Sequence, residues 1–333
     1  MTQSPYRWSI LWCAVIILMF PCMNVSAQSE KEIYKYDLMK LNHIEANLGA
    51  KFDSVESLVF DLMEEYGVAQ DQIGMAFYDF QSDEHFYLNE DRYFIAASTV
   101  KAPIAALFID LIQNQQLALT TPITYKDSYF VEGAGNITNN PLEASYTIEE
   151  LLYNAVIYSD NTAWYALMDF YNQNYGSYIN GILDFTQFYD VPDYFYENNY
   201  ASAFLAQQWL IKIATQPNYK YLVSLMSQTE PDQLFTSYVD QGMANKYGRL
   251  EDYVHDTGIY FEDGQPQYTL AVYTQGVENA DVFLEMVNLR INEWHRHQFL
   301  DAKAPSTDVK PGAKPKTLHT DTPSKKKGKK ITP

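Results

Sequence analysis

Thiols are nearly absent from this sequence: its two cysteines, Cys13 and Cys22, both fall within the first 27 residues. Beyond them a disulfide, a thiolate nucleophile and a Cys-ligated zinc are excluded. Histidine is scarce too. His43, His85, His255, His295, His297 and His319 form no spaced pair with carboxylates of the kind a catalytic zinc helix carries, so neither a metal nor another cofactor is expected. Basic residues are in deficit, 23 against 42 acids, for a net charge of −19. The deficit is uneven, because residues 303–333 hold nine lysines and two aspartates, a local +7 that leaves −26 on the rest of the chain. A body of that sign repels polyanions and argues against a nucleic-acid partner. Long apolar runs are also missing, apart from Trp8 to Phe20, which follows Arg7 and ends in Pro21 and Val25-Ser26-Ala27. A spanning helix needs about 20 apolar residues. The layout instead predicts a signal peptide over residues 1–27, cleaved after Ala27, and a secreted or periplasmic protein; an uncleaved anchor is the alternative.

What is present is enough for one large folded domain: 333 residues, 47% hydrophobic, with 28 Tyr and 18 Phe. Residues 28–302 are expected to form that domain, and residues 303–333, rich in Lys, Pro and Thr, a basic disordered tail. The alternative for the tail is a tether to anionic envelope polymers. Val55, Leu58, Val59, Leu62 and Met63 share a helical face that Gly67 ends. Ile73 to Phe80 and His85 to Leu88 read as a hairpin about Ser82-Asp83. Helical patterning then runs from Ser98 to about Met226. Strands return at Val254 to Phe261 and Tyr268 to Thr274, followed by a helix from Ala280 to Trp294. Strands from both ends of the chain thus bracket a helical middle. The expected class is α+β: one antiparallel sheet flanked by the terminal helices, with an all-helical subdomain inserted between its strands.

Three short motifs carry chemistry. Ser98-Thr99-Val100-Lys101 opens an apolar-periodic helix, and at that spacing the Lys101 amine shares a face with the Ser98 hydroxyl. A serine becomes a nucleophile when a base takes its proton, and a lysine of lowered pKa can do so. Alone the pattern is weak, since Ser324-Lys325-Lys326-Lys327 also fits it, and a helix cap is the plainer account of a lone Ser98. Ser159-Asp160-Asn161 lies between the helical runs Ile148 to Ile157 and Thr162 to Phe170, where these residue types also serve as caps. Lys246-Tyr247-Gly248 precedes the late strands; a solvated strand lysine is its plainer account.

In this order the motifs resemble those of the penicillin-recognising serine hydrolases, and among them the class A β-lactamases: Ser-x-x-Lys, Ser-Asp-Asn, Lys-Thr-Gly. The likeness spans roughly residues 55–292 and includes Thr147 to Leu152 and His255-Asp256-Thr257-Gly258-Ile259. It implies a fold like that of β-lactamases and transpeptidases, with Ser98 as nucleophile, Lys101 as its proton acceptor and Ser159 as proton shuttle. Asn161 would hold the substrate amide, and Lys246, with Tyr247 and Gly248, would meet its carboxylate. The backbone N–H groups of Ser98 and Arg249 would form the oxyanion hole. The expected substrate is a β-lactam or a cell-wall peptide, taken by a monomer.

Two positions depart from the family pattern. Between the second and third motifs the family carries a Glu, followed four positions on by Asn, which activates the deacylating water. Here the stretch Asp190 to Ser202 holds only Glu197, with Ala201 four positions on, so Glu197 is the sole candidate base and otherwise a solvated acid before the Ser202 cap. Tyr247 stands where the family has Thr or Ser, so a phenol replaces a small hydroxyl or a ring narrows the site. The leading expectation is an acyl-enzyme hydrolase that deacylates slowly. The alternatives are a D-alanyl-D-alanine peptidase or amidase, and a non-catalytic muropeptide- or protein-binding module on the same fold.

Overall fold

Residues 47–300 are described by a computed structural model; the expected signal peptide and the whole of the basic tail lie outside the described residues. The first helix, α1 (Val55–Tyr66), starts where the Ser54 hydroxyl accepts from Ser57 N–H and ends at Gly67 in a left-handed conformation, φ 65°. Its face of Val55, Leu58, Val59, Leu62 and Met63 is buried, as the spacing predicts.

The expected hairpin forms from β1 (Ile73–Asp79) and β2 (His85–Leu88). The late strands are β7 (Met243–Leu250), β8 (Tyr253–Glu262) and β9 (Gln265–Gln275), in a sheet ordered β2-β1-β9-β8-β7. All its pairings are antiparallel, and Ile73 lies opposite Thr274, so the two ends of the chain close the sheet. Side chains alternate across it. Met75, Phe77, Leu270 and Val272 face a core shared with α1 and the last helix, which brings Phe283, Leu284 and Val287. Ala76, Ala271 and Tyr273 face the inserted helical subdomain. Small residues in the middle of that second face let the subdomain approach closely.

The subdomain carries α2 (Lys101–Gln113), α3 (Ile148–Ile157), α4 (Asn161–Tyr175), α5 (Tyr178–Thr186), α6 (Ala203–Thr215) and α7 (Lys220–Met226); the last helix, α8, is Ala280–His295. It is not wholly helical, as the patterning had implied. β3 (Tyr93–Ile95) pairs with β6 (Tyr200–Ser202), and β4 (Pro122–Thr124) with β5 (Ser145–Thr147). Three residues are too few to show a period of two, so such ribbons leave no pattern in the sequence.

Candidate active site

Ser98 sits on a 3₁₀ turn, Ala97–Val100, between β3 and α2. The turn is strained, since Ala97 has φ 49°, a left-handed conformation that costs an alanine about 1–2 kcal/mol. Neighbours hold it there. Ala96 N–H donates to Asn199 O at 2.8 Å, and Asn199 Nδ2 donates to Ala97 O at 2.8 Å. Thr99 Oγ1 donates to Ala96 O at 2.8 Å and meets the Tyr273 hydroxyl at 2.9 Å, which ties the turn to β9. On the other side runs β7, where a Cβ at Gly248 would come 2.8 Å from Ser98 N and 2.9 Å from Ala96 O. Only glycine lets the strand pass this close. The Ser98 hydroxyl is half-buried and caps no helix, so the plainer account does not describe it.

The second motif divides its tasks. Asp160, fully buried, caps α4 by accepting from Ala163 N–H at 2.8 Å, and it also accepts from Thr138 N–H (3.0 Å) and Oγ1 (3.2 Å). Gly135, at φ 119°, packs directly on Asp160, where any side chain would collide. This frees Ser159 and Asn161 to face the cleft. Ser159 itself is left-handed, φ 55°.

Two lysines converge on Ser159. Lys101 Nζ donates to Ser159 O at 2.5 Å, Ser159 Oγ at 3.3 Å and Asn161 Oδ1 at 3.0 Å. Lys246 Nζ donates to the same Oγ at 3.2 Å and to Tyr247 O at 3.1 Å. Sequence spacing aims Lys101 at the Ser98 hydroxyl; the amine lies within hydrogen-bond distance of three oxygens of Ser159 and Asn161. Lys246, on edge strand β7, is not the solvated lysine of the plainer account, for its exposure is 0%.

Burial shapes the charges. Desolvation, with the Lys246 charge adding to it, holds the Lys101 ammonium well below the ordinary lysine range. Desolvation also brings Lys246 down to about 7, against the pull of Asp256. Lys246 therefore has a neutral form within reach near neutral pH, and burial favours the neutral form of Lys101 as well.

The other expected residues are placed as follows. Tyr247 turns its hydroxyl to Glu230 Oε2 at 3.3 Å, and its ring lies 4.4 Å from Lys246 Nζ. Arg249 is exposed and paired with Asp281. Glu197 ends the 3₁₀ segment Asp193–Glu197, exposed, with no hydrogen bond among the described residues, while Ser202 caps α6 through Leu205 N–H. Sequence reading passed over Asn199, Thr138 and Tyr273, because nothing local marks a residue whose partner lies 22 to 174 positions away.

A model for the beta-lactamase enzyme family matches residues 55–289. No curated protein sequence matches the chain. Among solved structures the fold is similar to PBP-A, at 19% identity and TM-score 0.60 over 73% of this chain and 95% of that one. It is also similar to a β-lactamase of Sphaerobacter thermophilus, at 20% identity and TM-score 0.61 over 72% and 96%, and to one from Xanthomonas campestris, at 20% and 0.60 over 72% and 97%. The matched span takes in all three motifs and the sheet and helices that bring them together, and the chain belongs to the beta-lactamase enzyme family.

Proposed function

We propose that the protein is an exported, monomeric serine hydrolase that is acylated on Ser98 by a β-lactam or related acyl donor and is slow to release the acyl group. The observation that carries this reading is the single Ser159 hydroxyl shared by two buried lysines beside the turn of Ser98. Ser98 Oγ attacks the acyl carbon as its proton passes to the neutral Lys101 amine, one helical turn away on the same face. The N–H groups of Ser98 and Arg249 receive the developing oxyanion. As the tetrahedral intermediate collapses, the C–N bond breaks and Ser159 gives its proton to the leaving nitrogen, to be reprotonated from Lys101. Asn161 fixes Lys101 and the substrate amide.

Release needs a base to hold a water, and losing one costs about 10²–10⁴ in rate. Glu197, exposed and unanchored, does not supply it. A labelled penicillin is expected to give a long-lived adduct, seen as a mass increment on the intact protein, absent in Ser98→Ala and of unchanged lifetime in Glu197→Gln. Rapid turnover that collapses in Glu197→Gln would make the protein an efficient β-lactamase instead. Absence of any adduct would favour a binding module.

A further inference from the structure

We infer that the site prefers acyl donors whose leaving side carries a neutral ester or amide rather than a free carboxylate; this rests on the acyl-enzyme reading above. An ammonium offers three N–H donors and no acceptor. Lys246 commits two of them, to Ser159 Oγ and Tyr247 O, and its remaining side is covered by the Tyr247 ring, 4.4 Å from Nζ. A fully buried cation with its donors engaged has nothing to offer an incoming anion unless the ring moves.

The neighbouring groups are committed in the same way. The Tyr247 hydroxyl donates to Glu230, whose carboxylate is exposed and adds negative charge on this side. Arg249, the next cation along β7, is paired with Asp281. Lys101 is turned to Ser159 and Asn161. A substrate carboxylate would lose its water, meet Glu230 and find Lys246 covered by the Tyr247 ring. A neutral ester or amide keeps the aromatic contact and pays none of that desolvation.

The test compares penicillin G with its methyl ester, following Ser98 acylation by intact-protein mass and dividing each rate by the compound's own rate of alkaline hydrolysis. The wild type is expected to favour the ester by about tenfold, the scale of one charged hydrogen bond forgone. Tyr247→Thr, which uncovers Lys246, should move the ratio toward the acid by about the same factor, whereas Tyr247→Phe, which keeps the ring, should hold the wild-type ratio. A wild type acylated faster by the acid, or a Tyr247→Thr ratio unchanged from wild type, overturns this inference and leaves the acyl-enzyme reading standing. Failure of both compounds to label Ser98 overturns that reading, and this inference with it.

Discussion

His255 shows how much of the site depends on keeping one buried group uncharged. Its Nδ1 accepts from Thr274 N–H at 3.0 Å, so Nε2 carries the proton and donates to Ile95 O at 2.8 Å, joining β8 and β9 to the strand that leads into the Ser98 turn. Burial pushes its pKa down to about 4. The unfolded chain takes up this proton near pH 6.5, so the stability the neutral ring contributes is whole above 6.5 and is lost as pH falls toward 4, roughly 3 kcal/mol in all. Asp256, fully buried and raised to about 7 by desolvation, acts with the opposite sign: folded, it keeps a proton that the unfolded chain releases, so it stabilises as pH falls from 7 to 3.8. The two contributions therefore oppose each other across this window. His255→Gln separates the two groups: its urea midpoint is expected to rise relative to wild type between pH 7 and 4. Imidazole nitrogen shifts should show His255 as the neutral Nε2-H tautomer from pH 7 down to about 5, with protonation only as pH approaches 4, and protonation near 6.5 would refute the assignment.

At the scale of elements, the loop before α6 clamps the Ser98 turn through Asn199, while its glutamate, Glu197, is exposed. Asn199 bonds both the Ala96 N–H and the Ala97 carbonyl, whereas Glu197, two residues earlier, is left to solvent. Removing the carboxamide in Asn199→Ala leaves the left-handed Ala97 less determined. We expect penicillin acylation to slow by about ten- to a hundredfold, since small misplacements are costly at a reacting centre, while stability drops by only about 1 kcal/mol. Acylation at the wild-type rate with the melting point lowered alone would make Asn199 merely structural. Elements whose pattern is local were readable from sequence: the β1–β2 hairpin by alternation, α1 by its buried face, and α3, which starts at Thr147 where Thr147 and Glu150 cap each other reciprocally. The motifs were readable by type and order. What could not be read is the pairing of β3 with β6, the turning of Lys101 from Ser98 to Ser159, and the burial of Lys246. Each depends on contacts between residues 58 to 109 positions apart, for which one sequence holds no local sign.

For the whole molecule, the reading of an exported enzyme makes a simple demand: the mature protein should start at Gln28 and contain no cysteine. The N-terminal mass of protein recovered from outside the cytoplasm checks it, and an intact Met1 to Ala27 on that material would refute it. The closing of the sheet by both chain ends carries a further consequence. β1 meets β9 across some 200 residues, with the whole helical subdomain threaded between β2 and β7. Contacts of such long range are slow to form, because the chain loses the entropy of closing the loop before the contact rewards it. The Ser98 turn belongs to the subdomain side of this seam, and Gly248, which lies against it, to the sheet side. On the acyl-enzyme reading, the nucleophile is therefore complete only once the most distant parts of the chain have met. A partly folded chain has no means of attacking its surroundings, and reactivity arrives together with the finished fold.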